Sequence, residues 1–223
     1  MQNGCAVSMI MEREEWNRRY AGANLVWSAE ANRFLVEEVS NLPRGRALDL
    51  GAGEGRNAIW LAERGWRVTA VDFSDIGLQK ARRLAETHGV DVEWIEADLR
   101  TYSPAECAFD LVVVLYIHLP GEQRRELLRR AAEALTADGT LLVVGHDRSN
   151  VDEGYGGPQD PSILFSPDDI IRDLAGIGGL RVVRAERVVR PVMTEDGERH
   201  AIDALVRAER HLTGQHQAPK EEA

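Results

Sequence analysis

Cysteine is nearly absent. The 223 residues contain two, Cys5 and Cys107, far apart and without C-x-x-C spacing. That excludes a disulfide framework and a structural zinc site, and it fits a reducing compartment. Long apolar runs are also missing, and none approaches the length of a membrane span. The N-terminus lacks a basic-then-apolar leader. The expectation is a soluble, cytoplasmic chain with no membrane partner. Basic excess is absent too: 27 Lys and Arg stand against 37 Asp and Glu, for a formal net charge of −10. A nucleic-acid surface needs a basic footprint, so no nucleic-acid partner is expected. There is no internal repeat.

What is present suits one α/β domain with additions: the length fits, and a hydrophobic content of 43% supports a sizeable core. The centre of the chain is Ala47-Leu48-Asp49-Leu50-Gly51-Ala52-Gly53-Glu54-Gly55-Arg56-Asn57. An apolar run ends in an acid, then breaks into a loop with glycine at every second position, and a helical segment follows from Ala58. Glycine permits a tight turn and a close approach of ligand to backbone. The spacing here is G-x-G-x-G. A dinucleotide fingerprint is G-x-G-x-x-G, and Arg56 stands where its third glycine would fall.

Around this loop, strand and helix signals alternate. Glu12 to Tyr20 reads as a short helix with Trp16 and Tyr20 on one face. A second helix follows Trp27, with Ser28 as its N-cap and Phe34, Leu35 and Val39 as its buried stripe. Arg67 to Val71 is a strand closing on Asp72, and Ser74 caps a helix from Asp75 to His88 that Gly89 stops. Val92 to Ile95 and the apolar run Phe109 to Leu115 are strands, the latter covered on both faces. A helix runs from Pro120 to Leu135, Asp138-Gly139 turns, and Thr140 to Val144 is the fifth strand. Residues 146–166 form the longest irregular segment, the kind that is usually functional or disordered. Pro167 opens another helix. Val182 to Val189 and Ala201 to Val206, joined through Thr194-Glu195-Asp196-Gly197, read as an antiparallel pair. The fold class is α/β, with a doubly wound, mostly parallel sheet.

The glycine loop resembles motif I of class I methyltransferases that use S-adenosylmethionine. Their acid-x-G-x-G-x-G pattern is matched at Asp49, Gly51, Gly53 and Gly55. The resemblance covers roughly Leu48 to Val206. It implies a three-layer, seven-stranded sheet with an antiparallel last strand, and S-adenosylmethionine as cofactor. It further implies that Asp49 orders the loop and faces the amino end of the methionine part, and that Asp72 accepts from the ribose hydroxyls. Asp98 would accept from the adenine amine, with the Leu99 N–H meeting a ring nitrogen. Ala52, Asn57, Phe73 and Leu115 complete the expected cofactor contacts. Trp16-Asn17-Arg18-Arg19-Tyr20 is similar to the entry helix of the tellurite-resistance and thiopurine methyltransferases, which folds over the cofactor. Trp16, Tyr20 and Trp27 would then face the sulfonium, or else pack the helix on the core.

Catalytic candidates are Tyr116 and His118, after the fourth strand at the edge where ligands bind. His118 is either a base for a thiol, hydroxyl or amine, or a structural histidine. His146 and Asp147 are a weaker pair. His118, His146 and Asp147 have no recognisable ligand spacing, so no metal site is assigned. Tyr116-Ile117-His118-Leu119-Pro120 replaces the Asn/Asp-Pro-Pro-aromatic motif of nucleic-acid and protein amide methylation. The expected reaction is methyl transfer to a small molecule: a thiol, hydroxyl, amine or chalcogen oxyanion. The rivals are an NAD(P)-dependent oxidoreductase, which lacks its glycine spacing and Tyr-x-x-x-Lys pair here, and a non-catalytic S-adenosylmethionine binder. The expected organisation is a helical cap or lid over 1–45, a catalytic domain over 46–211 and a polar tail over 212–223, in a monomer or homodimer.

Overall fold

The structure is a computed structural model and describes residues 12–211. Cys5 and the expected polar tail lie outside those residues. The sheet has seven strands: β1 (Arg46–Leu50), β2 (Arg67–Asp72), β3 (Val92–Glu96), β4 (Phe109–Leu115), β5 (Leu135–His146), β6 (Leu180–Thr194) and β7 (Gly197–Arg210). Their order across the sheet is β3-β2-β1-β4-β5-β7-β6. The first five are parallel, and β7 runs antiparallel to both β5 and β6. The strand order reverses between β1 and β4, and ligands of such sheets collect beyond the strand ends at that point.

Among the described residues, seven helices accompany the sheet: α1 (Arg13–Tyr20), α2 (Arg33–Val39), α3 (Arg56–Glu63), α4 (Asp75–His88), α5 (Gly121–Glu133), α6 (Asn150–Glu153) and α7 (Pro167–Leu174). The period of two in β4 explains the layers. Leu111, Val113 and Leu115 face one core with Phe34, Leu35, Val39, Ala58 and Leu61 of α2 and α3. Val112 and Val114 face the other, with Leu127, Leu128, Ile170 and Leu174 of α5 and α7. Both faces of the strand are thus covered by helices.

Local signals set most boundaries. The Ser74 hydroxyl accepts the Gly77 N–H at 3.0 Å, and Gly89 ends α4 at φ 64°. Three expectations need correction. Asn32, not Ser28, caps α2: its side chain accepts the N–H groups of Phe34 and Leu35 at 2.9 and 3.3 Å. The cap belongs immediately before the buried stripe, and Asn57 fixes it there by accepting the Asn32 N–H at 2.9 Å. The Asp138-Gly139 turn does not delay β5, which begins at Leu135 opposite Phe109 and shifts register before Thr140. The two late strands are longer than their apolar cores, at 15 and 14 residues, because their polar outer positions still pair.

Among the described residues, no helix is long and apolar enough to cross a membrane. None of their His, Cys, Asp and Glu side chains form a group of three able to hold a metal ion.

Candidate functional site

The loop after β1 is held from below. The N–H groups of Gly51 and Ala52 donate to the Val71 carbonyl at 2.8 and 3.0 Å. Gly51, Gly53 and Gly55 all have positive φ, at 89°, 54° and 85°, so the alternation of glycines is a backbone requirement. Asp72 braces the same loop. Its carboxylate accepts the Gly53 N–H and the Ser74 N–H, each at 2.8 Å. Burial raises its carboxyl, and these bonds pull it back.

Asp49 is 1% exposed, and neither of its oxygens has a hydrogen-bond partner. Burial first, then the charge of Asp72, push its carboxyl up to about 7, although the Arg56 guanidinium and the Ala58 N–H, which is near but falls short of hydrogen-bond geometry, favour the charged form. Asp98 is different. Arg100 holds both its oxygens, with Nε contacts of 3.0 and 2.8 Å, and keeps it below the ordinary carboxylate range. Leu99 is buried beside Gly51, 3.7 Å from where a Cβ there would lie. Ala52 and Leu115 are buried, and Phe73 is half-buried. Asn57 is turned to the α2 cap instead of the loop.

A strap of N-terminal chain crosses the loop. Tyr20 is buried, and its hydroxyl stands 2.8 Å from where a Cβ on Gly53 would lie. Trp16 stacks on Tyr20 at 5.4 Å and meets Trp27 at 6.4 Å, and the Arg19 guanidinium lies over both indoles. Trp27 is 41% exposed, so this cluster opens to solvent at one end. Asn17 ties α1 to the start of α4 through Asp75 and Ser74, at 2.7 and 2.6 Å. Glu54, within the glycine loop, accepts the Val26 N–H at 2.9 Å and Lys80 Nζ at 3.0 Å. Lys80 also donates to the Asn24 carbonyl at 2.8 Å. The sequence did not single out Glu54 or Lys80, since both look like surface charges on paper.

Beyond β4 the chain builds a second polar cluster. Tyr116 has φ 58°, and its hydroxyl donates to Asp203 at 2.7 Å. Burial raises its phenol, and Asp203 adds to the effect. His118 Nε2 accepts the His146 backbone N–H at 3.1 Å, and the two rings stack 5.4 Å apart. Burial, then the neighbouring His146, push the His118 imidazole down to about 3. Arg190 Nε lies 3.1 Å from Asp203, with its guanidinium over the Tyr116 ring. Asp203, fully buried on β7, was also missed. The available signal was an acid within the apolar run Ala201 to Val206. Asp147 is buried below and ion-pairs with Arg187 at 3.1 Å.

The residues present suit S-adenosylmethionine. Acids stand at or just past the ends of three neighbouring strands, and the cofactor brings donors: an ammonium, ribose hydroxyls and an amine. The unpartnered Asp49 carboxylate is the decisive member. A buried acid without partners invites a cation, and at this place it would repel the pyrophosphate of a dinucleotide.

Comparison with known proteins agrees. The methyltransferase-domain family profile matches residues 47–139. Thiocyanate methyltransferase 1 of Arabidopsis thaliana is 30% identical over 198 residues, covering 84% of this chain and 82% of the relative. Several other curated relatives are matched over only about half their length; demethylmenaquinone methyltransferase of Thermus thermophilus is 32% identical over 55% of each chain. Among solved structures, the N-methyltransferase NodS from Bradyrhizobium japonicum, in complex with S-adenosyl-L-homocysteine, aligns with a TM-score of 0.66. It shares 20% identity over 89% of this chain and 97% of that one. TehB from Haemophilus influenzae aligns with a TM-score of 0.67 and 17% identity, over 89% of this chain and 66% of that one. The chain belongs to the class I S-adenosylmethionine-dependent methyltransferases.

Proposed function

We propose that the protein methylates a small-molecule nucleophile: a thiol, hydroxyl, amine or chalcogen oxyanion. The observation that carries this reading is the enclosed polar cluster of Tyr116, His146, Arg190 and Asp203 beyond β4, β5 and β7. It adjoins the glycine loop: Tyr116 and Arg190 both act electrostatically on Arg56, the residue after Gly55. A cluster of buried and half-buried side chains is reached more readily by a small acceptor than by a polymer, and the net charge of −10 is unsuited to nucleic acid. The thiocyanate methyltransferase relative, which covers most of this chain, is named for a small acceptor.

Asp49 takes the ammonium of the methionine part. Asp72, with lone pairs left beside its two loop bonds, accepts from the ribose. Leu99 and Asp98 edge the adenine, with the Asp98 carboxylate shared with Arg100. Of the 1–45 segment, the described residues 12–45 act as a lid on the catalytic domain over 46–211, with Trp16, Tyr20 and Trp27 as its covering surface. When bound, the cofactor supplies a methyl group already activated by its sulfonium. The chain then aligns the acceptor and excludes water; alignment alone can contribute roughly 7–11 kcal/mol in favourable reactions. His118 serves this by position. Its Nε2 is engaged, and an imidazole held at about 3 is too weak a base for a thiol or alcohol near neutral pH.

The test is a screen of thiols, phenols, amines and chalcogen oxyanions for release of S-adenosylhomocysteine. Turnover with at least one supports the reading. Tight cofactor binding with no turnover on any acceptor would favour a non-catalytic binder.

A further inference from the structure

The polar cluster contains a histidine better placed for proton transfer than His118. We infer that His146, oriented by Asp203, takes the proton when the methyl acceptor is neutral. This rests on the methyl-transfer reading above and goes beyond it by naming the base and its positioning residue.

The pairing is written into the sheet. His146 ends β5, and its direct partner across the antiparallel ladder is Asp203 of β7. Paired residues point to the same face, so the register puts imidazole beside carboxylate. Nδ1 of His146 lies 3.0 Å from Oδ1 of Asp203. The distance is that of an ion pair, but the alignment falls short of a hydrogen bond. Such contacts are often loose in unloaded sites and tighten in the reacting complex.

The other Asp203 oxygen is committed to Tyr116 at 2.7 Å and Arg190 at 3.1 Å, which fixes the carboxylate plane. Burial alone would raise this carboxyl, yet His146, Arg190 and Tyr116 outweigh it and hold it ionised. An ionised carboxylate at Nδ1 favours the proton there and leaves Nε2 with its lone pair. The turn at Gly157, in the long segment after β5, packs over the ring beside that edge. A Cβ on Gly157 would fall 2.6 Å from Cδ2, 2.7 Å from Nε2 and 2.8 Å from Cγ, over the ring, and φ there is 75°. The long segment after β5 therefore covers one face of the ring beside Nε2 and leaves the in-plane direction of its lone pair clear of that turn.

Neither neighbour can replace it. His118 has its Nε2 occupied by the His146 backbone N–H, and the Tyr116 hydroxyl is given to Asp203. The charged and titratable groups around His146 are Tyr116 and His118 after β4, Asp203 on β7 and Arg190 on β6, with the Asp147–Arg187 pair beside them. In the step, the acceptor lone pair forms the bond to the methyl carbon. The S–CH₃ bonding pair stays on sulfur, and the acceptor proton moves to Nε2 of His146, later passing to solvent.

Two readouts test this. The first is nitrogen NMR of the full chain, labelled at histidine and loaded with S-adenosylhomocysteine, with His146 assigned through His146→Gln. The expected tautomer carries its proton on Nδ1; a proton on Nε2 overturns the inference, whether or not any acceptor is methylated. The second is kinetic. On a neutral acceptor such as 2-mercaptoethanol or a phenol found active in the screen, His146→Gln and Asp203→Asn should lower kcat by about 10²–10⁴. The acidic limb of the pH–rate profile should vanish in His146→Gln, which has no imidazole to protonate. Rates with iodide or thiocyanate, which carry no proton to lose, should fall less than tenfold. An equal loss on both acceptor types overturns the inference. Where Asp203→Asn fails to fold, His146→Gln and the wild-type tautomer decide. If no acceptor turns over, the methyl-transfer reading fails, while the tautomer still tells whether a base is built here.

Discussion

The two halves of the site are assembled in different ways. On the cofactor side, partners are near in sequence: Asp72 holds the Gly53 N–H across 19 positions, within one strand-loop-helix-strand unit. On the acceptor side, Tyr116 reaches Asp203 across 87 positions, and only the completed sheet brings them together. The first half is backbone geometry with acids at strand ends. The second is side chains meeting through register. A local motif can preserve the cofactor site while the acceptor site changes, since the hydrogen bonds of the two share no residue and only charge, through Arg56, links them.

Substitutions on the cofactor side should therefore abolish binding without touching the acceptor cluster. The largest effect is expected for Gly53→Val. Its φ of 54° costs an L-residue roughly 1–2 kcal/mol, and the new side chain enters the space between the loop and Tyr20. Calorimetry should detect no binding of S-adenosylhomocysteine, with the far-UV spectrum preserved; ordinary affinity would break the comparison at its root. Asp72→Ala should weaken binding by about 1.5–3 kcal/mol, the range for hydrogen bonds to a charged group. It should also lower the melting temperature, because the Gly53 and Ser74 N–H groups lose their acceptor. Tyr116→Phe, on the other side, should leave cofactor affinity unchanged. An affinity loss there matching that of Asp72→Ala would show the halves to be coupled.

Asp49 sharpens the comparison through pH. Its carboxyl stands at about 7 in the folded chain, above its ordinary range, so folding takes up a proton between that range and about 7. The stability it contributes is complete in acid and declines as pH rises to about 7. An ammonium bound beside it reverses the balance and expels the proton. Calorimetry at pH 6.5 in buffers of different ionisation heat should therefore show proton release on cofactor binding, and Asp49→Asn should remove it. Binding without proton release in the wild type would exclude the ammonium contact. The smallest effects concern the α2 cap: Asn32→Ala should cost about 1 kcal/mol by denaturant titration, and Ser28→Ala less than about 0.5 kcal/mol. The reverse order would restore Ser28 as the cap.

The same division governs what could be read from the sequence. The strand Phe109 to Leu115, the helix Asp75 to His88 and the glycine loop were legible because their signals are local: an apolar run, a serine before a periodic stretch, glycines where φ is positive. The alternation of elements was enough for the parallel sheet, while its reversed last strand came from the Thr194 to Gly197 turn and from the resemblance to the methyltransferases. Asn32 was passed over because the sequence offers two capping residues, and only the position of the buried stripe chooses between them. The ends of β6 and β7 were cut short because pairing extends past the apolar residues into polar ones. Glu54 and Lys80 looked like solvated charges, and their use depends on a strap that crosses the loop from outside it. Asp203 could be noticed as an acid among apolar residues, but its partners could not, since no spacing in the chain encodes a cross-strand register.

That register has a consequence for how the chain tolerates insertions. Side chains alternate between faces along a strand, so one added residue reverses the facing of everything beyond it relative to the neighbour. The hairpin tip between Thr194 and Gly197 projects past the last rung, and extra residues there would leave His146 opposite Asp203. A single residue inserted among Ala204, Leu205 and Val206, with their own pairing to β5 retained, would turn Asp203 toward the opposite face and leave His146 and Tyr116 without their acid. Length variation among natural or engineered versions of this chain should therefore gather at the tip and be purged from the rungs a few residues below it.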